Sequence, residues 1–196
     1  MRQRNLLLLV LLGFTTIAAR AQLTTYTDPK TGVSFKYPSV WVTSDKNPSY
    51  LGQAYMSETA HPRASFSFSP VGNLYEHTLL LDLAFSYFVA PMKDSASCTK
   101  SVADAQSETV KPKAVEIHGI HYQQFDGAQG GMCHQQANQL NVTYRDGQCF
   151  VFERDFDTQC YGADETRRKL TNAQMKALQR HLDEIMQSVV FAPLKP

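Results

Sequence analysis

The chain has none of the short motifs that announce a particular chemistry. It contains no C-x-x-C pair, H-E-x-x-H helix, G-x-S-x-G elbow, EF-hand loop or Rossmann glycine pattern. Those absences argue against a zinc ribbon, a thioredoxin-like redox centre, a zincin, an α/β-hydrolase and a dinucleotide fold. Gly127, Gly130 and Gly131 are followed by neither a Lys-Ser/Thr pair nor a helix start, so they read as a wide hairpin turn over residues 126–131 and not as a phosphate loop. Excess charge of one sign is also lacking, with 19 Lys+Arg against 18 Asp+Glu. Nothing in that balance suggests nucleic acid or an anionic membrane as a partner. After residue 21 no stretch is apolar enough to span a bilayer, and repeats and low-complexity segments are absent.

One apolar run does occur, from Leu6 to Ala19, behind Arg2 and Arg4 and ahead of Ala19-Arg20-Ala21. A basic start, a short apolar stretch and a small-x-small end are the three parts of a secretory signal peptide, and cleavage is expected after Ala21. The other reading, a membrane anchor, needs about 20 apolar residues. No Cys follows the run closely, which leaves no lipid-modified start. The expected organisation is a signal peptide over residues 1–21 and a single domain over residues 22–196, secreted or periplasmic. Losing Arg2, Arg4 and Arg20 brings the formal charge from +1 to −2.

Four cysteines, Cys98, Cys133, Cys149 and Cys160, lie in the mature part, an even number that suggests disulfides in an exported chain. Asp146-Gly147 separates two extended runs, and a two-residue type I′ turn there sets Arg145 opposite Gln148. Continuing that register sets Cys133 opposite Cys160, at the Cα spacing of about 4.5–5.5 Å that a disulfide can bridge. Cys149 points to the other face of its strand, which leaves Cys98 as its partner. The expected disulfides are therefore Cys98–Cys149 and Cys133–Cys160.

Strands are expected at Val33–Tyr37, Tyr50–Ser57, Ala64–Ser69, Ala114–Ile120 and Ile120–Phe125, from alternation and bounding turns. Leu74–Val89, apolar nearly all round and preceded by the pair Asn73 and Glu76, reads as a buried helix. Residues 94–113 read as a polar connection with at most a short helical turn. Thr171-Asn-Ala-Gln174 is a capping box, and Met175, Leu178, Leu182, Ile185, Met186 and Val189 form one apolar helical face behind it. The class is α+β: a mostly antiparallel β-sheet flanked by helices.

Tyr26-Thr-Asp-Pro-Lys-Thr-Gly-Val-Ser-Phe-Lys-Tyr-Pro-Ser-Val-Trp41 resembles the opening of PsbP-like proteins, in which a Tyr, an Asp/Gly turn, an aromatic strand and a Pro before a Trp recur. The resemblance covers about 16 residues explicitly and implies an α/β/α sandwich that ends in a helix packed on the sheet. PsbP is an extrinsic subunit of the photosynthetic oxygen-evolving complex, a structural relative binds the GTPase Ran, and secreted bacterial relatives have no assigned role. The resemblance thus implies docking to partners, without assigning a binding residue to any position here.

Candidate sites are few. His118 and His121 are three apart and would share a metal only across a bulge at Gly119, with His134 as a third ligand from a neighbouring strand. Surface or structural histidines are the simpler reading, so no metal or cofactor is expected. Arg167-Arg168-Lys169 precedes the last helix, where anions are favoured, although a solvated loop explains it equally. Asn141-Val-Thr143 fits a glycosylation sequon. Gln135, Gln136, Asn138 and Gln139 line one hairpin strand with amide donors and acceptors, a ligand surface or a solvated strand end. A Ser/His/Asp combination can be drawn from any chain of this composition and carries no information. The reading is a secreted, non-enzymatic binding or accessory protein with a protein or small-molecule partner. The alternatives are an extracytoplasmic hydrolase with dispersed catalytic residues and a metal-binding protein.

Overall fold

The computed structural model describes residues 22–44, 63–68, 75–106, 110–131, 133–160, 162 and 165–192. The expected signal peptide and cleavage point, the strand expected at Tyr50–Ser57 and the cap expected at Asn73 lie outside the described residues.

Among the described residues, ten strands and two helices follow in the order β1 (Leu23–Thr27), β2 (Val33–Pro38), β3 (Val42–Ser44), β4 (Ala64–Phe68), β5 (Leu80–Pro91), α1 (Ser95–Gln106), β6 (Lys113–Ile117), β7 (Ile120–Gly131), β8 (His134–Arg145), β9 (Gln148–Gln159), α2 (Asn172–Gln187) and β10 (Val190–Phe191). They form a three-stranded sheet, β1-β2-β10, and a seven-stranded sheet, β3-β4-β5-β9-β8-β7-β6, with every pairing between strands antiparallel. The class is α+β, as expected.

The hairpin from β8 to β9 organises the large sheet. Asp146 (φ 53°) and Gly147 (φ 76°) make the turn, and the register runs without a slip from Arg145↔Gln148 to His134↔Gln159. Beyond its end the Cys160 amide donates to the Cys133 carbonyl, and the two cysteines are bonded with Cα atoms 4.7 Å apart. Cys98 is bonded to Cys149 at a Cα separation of 5.3 Å. His118 (φ 52°) and Gly119 (φ 77°) repeat the same kind of turn between β6 and β7, where Ile117 faces Ile120.

Strand alternation divides the sheet into two faces. Phe85, Tyr87, Phe150 and Phe152 pack with Val33 and Phe35 of β2 and with Leu178, Leu182, Ile185 and Met186 of α2. Phe88, Val142, Cys149 and Val151 pack on the other side against Cys98 and Val102 of α1. The layers are α1, the large sheet, then α2 with the small sheet. At the edge of the first core Asp28 is fully buried, and its carboxylate receives two hydrogen bonds from Arg63, at 3.1 and 2.8 Å. Burial alone would raise its pKa. The Arg63 guanidinium, with the Lys30 amide and Thr31 hydroxyl, instead holds it below the ordinary carboxylate range. The Asp of the PsbP-like opening is therefore the anchor of its turn.

Three expectations are corrected. The helix expected at Leu74–Val89 is not found in its described part: residues 75–77 form a turn, and the apolar stretch from Leu80 onward belongs to β5. It is apolar at successive positions because β5 lies between β4 and β9 with both faces covered, so Tyr87 enters one core and Phe88 the other. Residues 95–106, expected within a polar connection, form the helix α1, started by Asp94, whose carboxylate accepts from the Ser97 amide at 2.7 Å. Finally, residues 126–131 are not a turn but the second half of β7, paired with β8 through Gly131↔His134. Gly127 sits there because a Cβ would collide with the side chains of Asn138 and Gln106. The atoms in the way are side-chain ends that can turn aside, so Gly127→Ala is expected to destabilise the fold by only about 1 kcal/mol, the low end of the cost of overpacking, measurable by urea denaturation.

Candidate functional site

The described face of the sheet beneath α2 is not apolar throughout. Register places Asp126 of β7 opposite Gln139 of β8, and Gln139 opposite Arg154 of β9, so three polar side chains stand abreast on one face. The next row along is Ala128, Ala137 and Phe156, whose two small residues leave room beside the polar row. Gln179, Leu182 and Asp183 of α2 form the opposite wall of a cleft of about 330 Å³, near the lower end of the ~300–1,000 Å³ typical of small-molecule sites.

Arg154 is the floor. Its guanidinium donates to the Asp183 carboxylate and, through Nη2 at 2.7 Å, to the Asn141 Oδ1. The side chain is 10% exposed and Nε has no hydrogen-bond partner among the described residues. Burial pulls the Arg154 pKa down from the ordinary guanidinium range, opposed by the nearby Asp183. On the other side Gln139 and Lys113 donate to Asp126, with the Lys113 Nζ at 2.8 Å, and Gln124 donates at 3.2 Å. These donors hold the Asp126 carboxyl below its ordinary range.

Of the four amides singled out in β8, Gln139 sets its side chain beside this cleft; Asn138 borders it but by register turns its side chain to the opposite face, where Gln136 donates to Asp155, and Gln135 is exposed elsewhere. The sequence reading missed Asp126, Arg154, Gln179 and Asp183. The available signal was Glu153-Arg154-Asp155 in mid-strand, three successive charged residues, all buried, between Phe152 and Phe156. Asn141 is also fully buried and committed to Arg154, so the sequon is inaccessible in the folded chain.

The other candidates are dispersed. His118 lies in the β6–β7 turn with Nε2 2.6 Å from the Gln187 carbonyl, His121 lies 3.6 Å from Glu116, and His134 lies at the far end of the sheet, 3.4 Å from Asp157. No group of three metal-ligating side chains occurs among the described residues. The basic segment is tied down: the Arg168 amide donates to the His77 carbonyl, and the Arg168 carbonyl accepts from Leu79. The start of α2 behind it is closed by Thr171 and Gln174, which satisfy each other's backbone amides.

A second polar patch lies on the α1 side of the sheet. Asp155, 3% exposed, accepts both hydrogen bonds of the Gln136 amide at 3.0 and 2.9 Å, and Asp82 faces Asp157 across β5 and β9. Burial, with the neighbouring carboxylates adding to it, pushes Asp155 up to about 7 and Asp82 up to about 6.

No protein-family model matches the chain, and comparison with curated proteins finds no match. The chain is similar to cyanobacterial PsbP (CyanoP) from Synechocystis sp. PCC 6803, at 17% identity and a TM-score of 0.47, covering 92% of this chain and 98% of that one. It is also similar to LpqN, described as involved in cell envelope biogenesis of Mycobacterium tuberculosis, at 12% identity and a TM-score of 0.49, covering 88% and 91%. At these identities function is argued from this chain's own residues. No helix among the described residues is long and apolar enough to cross a membrane.

Arg154→Met keeps the length of the side chain and removes its hydrogen bonds. It is expected to cost about 1–3 kcal/mol, chiefly because buried Asn141 loses its partner, and chemical denaturation of the two proteins measures the difference.

Proposed function

We propose that the chain is an exported, non-enzymatic binding or accessory protein, and that the cleft between α2 and β7–β9 is its ligand site. The observation that carries this reading is a buried guanidinium, its Nε unpaired among the described residues, on the floor of a concave site with the exposed Gln179 amide on the facing wall. Fixed donors and acceptors beside the apolar Leu182 and Phe156 suit recognition, which rewards preorganised groups. Two disulfides support an oxidising, extracytoplasmic location, and the apolar run after Arg2 and Arg4 supports export through a cleaved signal peptide.

The hydrolase reading draws on a different observation, the raised carboxyls of Asp155 and Asp82, since a carboxylic acid protonated near neutral pH is what a general acid requires. Two measurements decide between them. Native mass spectrometry of the protein recovered from an exported fraction is expected to show a small-molecule adduct that Gln179→Ala loses. Assays with ester, peptide, glycoside and phosphate substrates are expected to be silent, and turnover abolished by Asp155→Asn or Asp82→Asn would overturn the non-enzymatic reading.

A further inference from the structure

The ligand class follows from how the cleft distributes charge and apolar surface, and it rests on the reading of that cleft as a binding site. Its two carboxylates are each matched: Asp183 by Arg154, and Asp126 by Lys113. An anionic ligand would meet both carboxylates, and a cationic one would meet the guanidinium on the floor, so a net charge of either sign is opposed on one side. A neutral ligand is opposed on neither. The groups that face the space are mixed in kind. Gln179 offers an amide that both donates and accepts, Asp183 offers acceptors, and the Arg154 guanidinium lies on the floor. Beside them stand the half-buried ring of Phe156 and the side chain of Leu182.

We infer that the cleft binds a neutral saccharide unit, whose closely spaced hydroxyls each donate and accept and whose C–H face packs on Phe156 and Leu182. A hydroxyl both donates and accepts, so closely spaced hydroxyls can answer an amide and a carboxylate alike. Ala137, in the row of Phe156, leaves space for a ring where a larger side chain would fill the cleft.

The test is titration of ¹⁵N-labelled protein, residues 22–196, with N-acetylglucosamine, glucose, glucuronate and glucosamine, read by amide shifts. Both neutral sugars are expected to move resonances around Gln139 and Gln179 and to saturate near about 1 mM, the range of a small open site. Gln179→Ala, at an exposed helix position that tolerates alanine, is expected to weaken them about tenfold through one lost hydrogen bond. Phe156→Leu should weaken them without changing the preference for neutral sugars. If glucuronate or glucosamine saturates the same resonances at lower concentration than the neutral sugars, the saccharide inference is overturned while the cleft stands as a site. If none of the four moves any cleft resonance, the inference falls as well. The binding reading is then decided separately by the native mass spectrum, where an adduct lost in Gln179→Ala keeps it and no adduct removes it.

Discussion

Replacing Cys98 and Cys149 together by alanine is expected to lower the unfolding free energy by about 4 kcal/mol, the chain-entropy value for a loop of this size, since the bond spans 51 residues. Both cysteines are almost fully buried, at 1% and 0% exposure, so the variant also loses packing under α1. That helix has little else to hold it. Only Cys98 and Val102 are buried along its 12 residues, and its one described ion pair, Lys100–Asp104, is exposed and worth about 0.5 kcal/mol or less. Hydrogen exchange should therefore show α1 amides losing protection before those of β8 and β9. The Cys133–Cys160 bond closes the open end of a hairpin whose register is already set by twelve facing pairs, and Cys133 is exposed. Its removal is expected to cost less and to leave α1 protected. Equal loss in both variants, with α1 unaffected in each, would show that the disulfide does not fasten the helix.

What could be read in advance followed from local rules with one solution. Asp146-Gly147 demands positive φ at two residues, that fixes the turn, and the turn fixes a register that carries twelve residues outward to the cysteines. The capping box of α2 is equally local. Errors arose where the signal depended on neighbours distant in sequence. The apolar stretch of β5 looks like a buried helix because a strand covered on both faces loses its alternation, and only the presence of β4 and β9 beside it decides the matter. In α1 the apolar stripe is too thin to detect, because a covalent bond substitutes for a hydrophobic face.

The cleft was hidden for a related reason. Arg154 reads as a solvent-facing charge while β9 is taken as one half of an isolated hairpin. Set between β5 and β8, the same residue is enclosed on both sides and must find Asn141 and Asp183 or stay unsatisfied. Three successive charges between Val151-Phe152 and Phe156 are costly in a central strand, and a chain that keeps them there places polar partners to meet them. Asp126 and Gln139 supply the rest of the row from β7 and β8, and neither residue is unusual on its own.

The same central strand carries the second large prediction, on the opposite face. Stability is expected to be greater near pH 5 than at pH 8, the reverse of what ordinary salt-bridged carboxylates produce. Asp155 and Asp82 are held at about 7 and about 6 in the folded chain, against an ordinary value of 3.8. Between about pH 4 and pH 7 the folded state therefore binds more protons than the unfolded one, so the unfolding free energy falls as pH rises through that window and levels off above it. A fall of about 3 kcal/mol is expected, taking about 1.36 kcal/mol per pKa unit and allowing for the repulsion that the two share with each other and with Asp157. Asp28 and Asp126, whose pKa values are lowered, act in the other direction, but only as pH falls below about 4. Asp155→Asn retains an oxygen to accept from Gln136 and removes the charge that is hardest to bury. It is expected to be more stable than the parent by about 1–3 kcal/mol at pH 8 and little changed at pH 5, with a flatter profile between. Urea denaturation at four or five pH values measures both curves. A parent protein whose stability rises from pH 5 to pH 8, or an Asp155→Asn variant with an unchanged slope, would show that these carboxyls ionise as freely as in the unfolded chain.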